Sequence, residues 1–222
     1  RHAGVGVVEF GKHNFMNLPT DHPCHLGFEP GEDVERADLL IVIDCHVPFI
    51  PAFTAVAPEV PIISIGIDPI AADLPGRAFA SDVSLQGDSA STLDALRKLL
   101  APACPARPAE LEERAEARRA RAAREVEADR SRGALTKRML SWALGEVLPD
   151  DAIVCNEYDT DPTYVRRTLP GTWFENSIAS GLGWALGAAL GAKLAQPDRL
   201  VVATVGDGSY LFNVPLSAGG GA

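Results

Sequence analysis

The residues with the clearest chemical potential follow an apolar run near the end of the chain. The run 200–205 predicts a buried strand, and Gly206, Asp207, Gly208 and Ser209 come directly after it. Ligands of parallel α/β sheets bind beyond the carboxyl ends of the strands, so a carboxylate at Asp207 could ligate Mg²⁺. Gly206 and Gly208 would let the backbone approach a phosphate and permit positive φ, while Ser209 offers a hydroxyl and a backbone N–H. On these four residues alone, a plain Asp-Gly turn is the favoured alternative.

A second glycine pattern lies upstream. Gly181, Gly183 and Gly187 fit a G-x-G-x-x-x-G spacing of the dinucleotide-binding type. Such a motif should directly follow a strand and open a helix, and the segment 172–180 before it is not a β run. We therefore interpret these glycines as packing residues and keep a nicotinamide-binding module as an alternative.

Histidines and cysteines give weaker indications. The histidines have no diagnostic metal-ligand spacing and are interpreted as loop or turn residues; they include His13, His22, His25 and His46. The four cysteines form no C-x-x-C pair, which argues against a zinc site or a disulfide framework and favours a reducing compartment; they are Cys24, Cys45, Cys104 and Cys155.

The elements that must position these residues form two α/β units. In the first, the apolar runs 39–43 and 61–69 predict strands buried on both faces, separated by a proline-rich stretch and followed by a helix over 91–100. In the second, an amphipathic stripe over 135–144 predicts a helix, 152–155 a strand and 158–170 a polar loop. A helix of small residues over 177–195 then precedes the last strand.

A charged segment separates the two units. Residues 110–132 are rich in Ala, Glu and Arg, with opposite charges four residues apart at Glu110/Arg114 and Arg121/Glu125. Because its apolar residues are nearly all Ala, we expect a solvated helix that buries little. The predicted fold is α/β, with two doubly wound parallel-sheet domains at 1–105 and 133–222, joined by a helical linker at 106–132.

Composition excludes several partners. Hydrophobic residues make up 46% of the chain, charged residues 23%, and the net charge is −10. Nucleic-acid binding needs clustered Lys and Arg, and anionic membranes would repel this chain. The longest nearly apolar run, 178–192, is shorter than the ~20 residues of a membrane span. We expect a cytoplasmic protein that binds neither nucleic acid nor membrane.

The motifs taken together resemble thiamine-diphosphate enzymes of the acetolactate synthase and benzoylformate decarboxylase type. Ser-Gly-Leu-Gly at 180–183, Pro-Asp-Arg at 197–199 and Gly-Asp-Gly-Ser at 206–209 match the order and spacing of the diphosphate-binding domain. The Asn-Glu pair at 156–157 is similar to the benzoylformate decarboxylase branch. The segments 19–27 and 65–69 look like the family's central domain.

The resemblance implies roles for individual residues. Asp207 would ligate Mg²⁺, and Ser209 with the backbone of Gly206 and Gly208 would hold the diphosphate. Leu182 would hold thiamine diphosphate in its bent form, although it could instead be a core residue. Thr160 would place a hydroxyl on the diphosphate, and Glu157 is interpreted as a loop anchor.

The resemblance also implies an activity for the full-length protein. That activity is Mg²⁺-dependent decarboxylation of a 2-oxo acid, or acetolactate-synthase-like carboligation, by a homodimer or homotetramer. The chain stops 14 residues after Gly208, before the family's Asn-Asn pair, and lacks the domain with the activating Glu, so we expect a truncated second domain and no catalytic residue here. The segment 44–49 lacks an Arg-rich loop, which argues against FAD. A truncated, non-catalytic homologue is the other alternative.

Overall fold

Six strands and six α-helices lie within the part of the chain that the computed structural model describes, which is residues 4–10, 16–72, 79–100, 106–158, 160–176 and 181–213. In chain order they are α1 (Gly31–Glu35), β1 (Leu40–Ile43), β2 (Ile62–Gly66), β3 (Val83–Gln86), α2 (Ser89–Leu99), α3 (Ala106–Ser131), α4 (Lys137–Val147), β4 (Ile153–Asn156), a 3₁₀ turn (Pro162–Tyr164), β5 (Trp173–Glu175), α5 (Trp184–Ala195), β6 (Val201–Thr204) and α6 (Asp207–Phe212). The strands form two three-stranded parallel sheets, which confirms the predicted α/β class.

The chain divides into two compact units, residues 1–11 with 26–112 and residues 12–25 with 113–222. The segment 16–25 therefore belongs to the second unit. Its Met16 N–H donates to the Trp173 carbonyl at 2.8 Å, and its Thr20 N–H donates to the Arg167 carbonyl at 2.9 Å. The sequence-based boundaries at 105 and 132 stay predictions.

The first unit contains the sheet β1-β2-β3. β1 and β2 lie within the predicted runs, but β1 is not buried on both faces. It is an edge strand, and all four of its residues are partly exposed. β3 was not predicted, because its four residues alternate polar and apolar and all are exposed. The predicted helix over 91–100 is confirmed as α2, whose N-terminus begins two residues earlier because Asp88 caps it by accepting from Ser91 N–H at 2.8 Å.

Helix α3 confirms the predicted charged helix but corrects its expected exposure. Leu111, Ala115, Ala122 and Val126 are buried and recur at the spacing of one helix face. The composition hid this buried face because two of its four residues are Ala, which lets neighbouring elements approach closely without contributing much apolar area. The predicted Arg121–Glu125 pair is present at 2.9 Å, where both residues lie on the polar face.

The second unit contains the sheet β5-β4-β6, with β4 in the centre and fully buried. Alternate residues of β4 face two clusters: Val154 packs with Met16, Val165 and Trp173, whereas Ile153 and Cys155 pack against α5 around Ala185. Burial raises the pKa of the Cys155 thiol to about 11, so this thiol is an inert core group and not a nucleophile. The predicted helix and strands of this unit are confirmed as α4, β4 and β6.

Three further expectations concern cysteines, histidines and membranes. Cys24, Cys45 and Cys155 are free thiols, and Cys104 and His13 lie outside the described residues. Across the described ranges, no helix is both long enough and apolar enough to cross a bilayer. The same ranges hold no group of three or more His, Cys, Asp or Glu residues arranged for a metal ion.

Candidate functional site

The carboxyl ends of β5, β4 and β6 meet at one edge of the second sheet. Asn156, the last residue of β4, is in register with Glu175 of β5 and Thr204 of β6. The residues that follow β4 and β6 therefore emerge side by side. They include Glu157 and the predicted sequence 206–209, so the structure brings most of the predicted site residues to the edge where parallel sheets bind ligands.

Asp207 is the first residue of α6 and is exposed at this edge. Its Oδ1 accepts a hydrogen bond from Gly208 N–H at 2.8 Å. Its Oδ2 has no hydrogen-bond donor within the described parts of the chain. An exposed carboxylate with one unoccupied oxygen is a suitable ligand for a hard divalent cation.

The two glycines around Asp207 leave space, but they do not use positive φ as the sequence suggested. Gly206 has φ −73° and ψ 156°, because β6 passes in extended geometry straight into α6. A Cβ at Gly208 would meet no atom within 4 Å, and one at Gly206 would make an ordinary 3.5 Å contact with Tyr158. Ser209 is buried behind them. The first turn of α6 thus leaves open space beside the backbone of Gly208, from which a phosphate group could approach.

Asn156 connects the residues of this edge, a role that was not predicted when the Asn-Glu pair was noted in the sequence. It is buried, and its Oδ1 accepts from the hydroxyls of Thr160 at 2.5 Å and Thr204 at 2.6 Å. Its Nδ2 donates to the Thr160 carbonyl at 3.2 Å and to Glu175 Oε1 at 3.1 Å. Thr160 is therefore at the predicted edge, but its hydroxyl proton is already engaged, so towards a phosphate this hydroxyl could only accept.

Glu157 anchors the loop before α5. Its Oε1 accepts from Gly183 N–H at 2.8 Å and its Oε2 from Ala185 N–H at 2.9 Å. This confirms its interpretation as a loop anchor. Leu182 lies in the anchored loop and is 63% exposed, so it is not a core residue. The predicted helix 177–195 begins at Trp184; residues 177–180 lie outside the described residues.

The structure removes one argument against a nicotinamide-binding module and adds another. A short strand, β5, does precede the glycines, so the interpretation of 172–180 as lacking a strand was wrong; β5 has three residues, of which only Glu175 is polar. A dinucleotide pyrophosphate would bind at the N-terminus of the following helix. At the N-terminus of α5 the Glu157 carboxylate already accepts from the backbone N–H groups, and its negative charge would repel the pyrophosphate.

Gly183 is the one glycine of this loop whose replacement should be severe. Its φ is +89°, and an added Cβ would overlap the Asn213 side-chain amide. We expect Gly183→Ala to lower the melting temperature of the chain by roughly 5–10 °C, from left-handed strain plus the lost Asn213 bond. Gly187→Ala is the matched control, because a Cβ there meets no atom within 4 Å and favours the helix. Differential scanning calorimetry compares the two; equal melting temperatures would contradict the expectation.

Comparison with known protein families adds an independent finding. Residues 155–217, which contain the whole edge described above, match the C-terminal TPP binding domain of thiamine pyrophosphate enzymes. The chain is 30% identical over 212 residues to a benzoylformate decarboxylase of Pseudomonas aeruginosa, covering 89% of this chain and 37% of that protein. It is 26% identical over 224 residues to the acetolactate synthase isozyme 2 large subunit of Escherichia coli, covering 95% and 37%.

A solved structure shares the fold. The X-ray structure of a candidate thiamin diphosphate-dependent enzyme from Mycobacterium smegmatis superposes with a TM-score of 0.64 over 95% of this chain and 41% of that one, at 23% identity. The chain thus spans 37% of the length of each of the two curated relatives named above.

Proposed function

We propose that this chain, whose residues 155–217 match the thiamine pyrophosphate-binding domain, is part of a thiamine-diphosphate-dependent enzyme and that the carboxyl edge of its second sheet binds thiamine diphosphate through Mg²⁺. We further propose that the full-length protein decarboxylates a 2-oxo acid, as a decarboxylase or as an acetolactate-synthase-like carboligase. The observation that carries the proposal is the exposed Asp207 carboxylate beside the open backbone of Gly208 at that edge, inside the matched segment.

Each residue of the edge has a defined task in this proposal. Asp207 contributes one carboxylate oxygen to the metal, and Gly206 and Gly208 leave room for the diphosphate, with Ser209 behind them. Leu182 offers an exposed apolar side chain against which the cofactor rests. Thr160 can contact the diphosphate only if its hydroxyl turns away from Asn156 and donates to a phosphate oxygen. When bound, thiamine diphosphate supplies the electron sink that decarboxylation of a 2-oxo acid requires. The chain's own contribution is to bind and orient the cofactor.

FAD is not part of the proposal. In the first unit, a cavity of about 170 Å³ lies at the carboxyl ends of β1 and β2, below the ~300 Å³ of common small-molecule sites. Its described lining includes Asp44 and Asp68 but no Arg or Lys. A lining with two carboxylates and only His46 to offset them is a poor environment for a dinucleotide diphosphate, so we leave the flavin out.

Calorimetric titration tests the proposal against its alternatives. We expect the full-length protein to bind thiamine diphosphate in the presence of Mg²⁺, to bind it at least 10-fold more weakly with EDTA, and to give no heat with NAD. Binding of NAD alone would reject the proposal in favour of a nicotinamide module. No binding of either would favour a non-catalytic homologue.

A further inference from the structure

The loop that carries Leu182 is held from two sides by side chains of different elements. Glu157, which follows β4, accepts from the N–H groups of Gly183 and Ala185. Asn213, at the end of α6, donates from Nδ2 to the Gly183 carbonyl at 2.6 Å. Gly183 is thus held by hydrogen bonds at both its N–H and its carbonyl.

The Glu157 side of this arrangement is electrostatically favourable. Both carboxylate oxygens accept from backbone N–H groups at the N-terminus of the 12-residue helix α5, where the helix dipole stabilises negative charge. Hydrogen bonds to an ionised acceptor are about twice as strong as neutral ones. The Glu157 carboxylate therefore holds the backbone at the start of α5 with both of its oxygens.

Asn213 connects the Leu182 loop to residues 206–209, the proposed diphosphate-binding segment at the start of α6. The same Nδ2 lies 3.4 Å from the Ser209 carbonyl, and Ser209 is part of the 206–209 sequence. Gly183 can approach Asn213 this closely only because it lacks a side chain. A continuous set of hydrogen bonds therefore runs from Glu157 through Gly183 and Asn213 to Ser209.

We propose that Glu157 is a positioning residue that fixes the Leu182 loop relative to residues 206–209 at the start of α6 before any cofactor binds. This inference rests on the proposed function and deepens it. Leu182 is 63% exposed, so its location depends largely on the backbone of the adjacent Gly183. Loss of the Glu157 carboxylate frees that backbone, and cofactor binding must then order it again at an entropic cost.

Glu157→Gln removes the charge and can accept at only one atom. By NMR hydrogen exchange on the cofactor-free full chain, we expect the amides of residues 183 and 185 to exchange at least 10-fold faster, with central β4 unchanged. By calorimetry, we expect thiamine diphosphate with Mg²⁺ to bind roughly 10-fold more weakly. Asn213→Ala removes the hydrogen bond to the Gly183 carbonyl and should weaken cofactor binding by a similar factor. This second variant still tests the inference if Glu157→Gln folds poorly.

Glu146→Gln is the matched control, because Glu146 is exposed on α4; its exchange and affinity should equal those of the wild type. Faster exchange with unchanged affinity in both test variants would reduce Glu157 to a simple helix cap and overturn the inference. Unchanged exchange would overturn it as well. If the wild type itself binds no cofactor, the proposed function fails and the positioning role fails with it, whereas tight binding by both variants refutes only the positioning role.

Discussion

Replacing Asp207 with Ala should lower the Mg²⁺-dependent affinity for thiamine diphosphate by at least roughly 100-fold. Outer-shell partners of metal ligands commonly contribute 10–100-fold to affinity, and a direct ligand should contribute no less. The side chain is exposed and is the first of α6, so its loss leaves no buried group unpaired and the fold should persist. The measurement is calorimetric titration of the full-length protein with the cofactor at fixed Mg²⁺.

Two further variants make this result specific. Asp207→Asn keeps the shape and one carbonyl oxygen but removes the charge, so its affinity should fall between those of Ala and the wild type. Asp198→Ala removes an equally exposed carboxylate that precedes β6, at the opposite end of the strand, and should bind like the wild type. Wild-type affinity in Asp207→Ala would reject Asp207 as the metal ligand and, with it, the proposed site.

Long apolar runs made much of the fold predictable. β1, β2, β4 and β6 all lie in mainly apolar runs, and α2 and α4 follow helical spacings that a sequence displays directly. Asp207 could be located because its place at the end of β6 depends only on chain order. The position of a residue along one strand is local information, and local information is what a sequence carries.

Contacts between residues on different strands were harder to predict from the sequence. β5 has three residues and β3 alternates polar with apolar residues on an exposed surface, so neither gives a clear hydrophobic signal. The functions of Asn156 and Glu157 depend on which neighbours the sheet register and the α5 backbone bring to them. A polar pair directly after a buried strand is a signal for such residues, but it does not identify their partners.

Asp129 shows how a charged segment can conceal a buried polar centre. It lies on the inner face of α3 with its side chain 1% exposed, although the composition around it suggested a solvated helix. It contacts Arg132 and accepts from Thr136 Oγ1 at 2.7 Å and from two nitrogens of Arg138 at 2.9 Å each. Thr136 caps α4, so this one carboxylate fixes the end of α3 to the start of α4.

The same contacts make Asp129 sensitive to pH. Hydrogen bonds from Arg138 and Thr136, together with Arg132, hold the pKa of the Asp129 carboxyl well below its ordinary value. Since the folded-state pKa is the lower one, its stabilisation is complete above the ordinary carboxyl pKa of about 4 and is lost as pH falls below it. The melting temperature of the wild type should therefore decline more steeply between about pH 5 and 2 than that of a variant without this carboxylate.

Asp129→Ala should lower the melting temperature at pH 7 by roughly 10 °C, because it removes the buried carboxylate that accepts from two partly exposed residues, Arg138 and Thr136. Asp94→Ala is the matched control. Asp94 also pairs with two cations, Arg97 at 2.9 Å and Lys98 at 2.6 Å, but all three side chains are about half or more exposed, so its loss should change the melting temperature by about 2 °C at most. Calorimetric melting of both variants across this pH range separates burial from charge pairing. Equal shifts for the two variants would mean that pairing alone matters, and that Asp129 does not join α3 to α4.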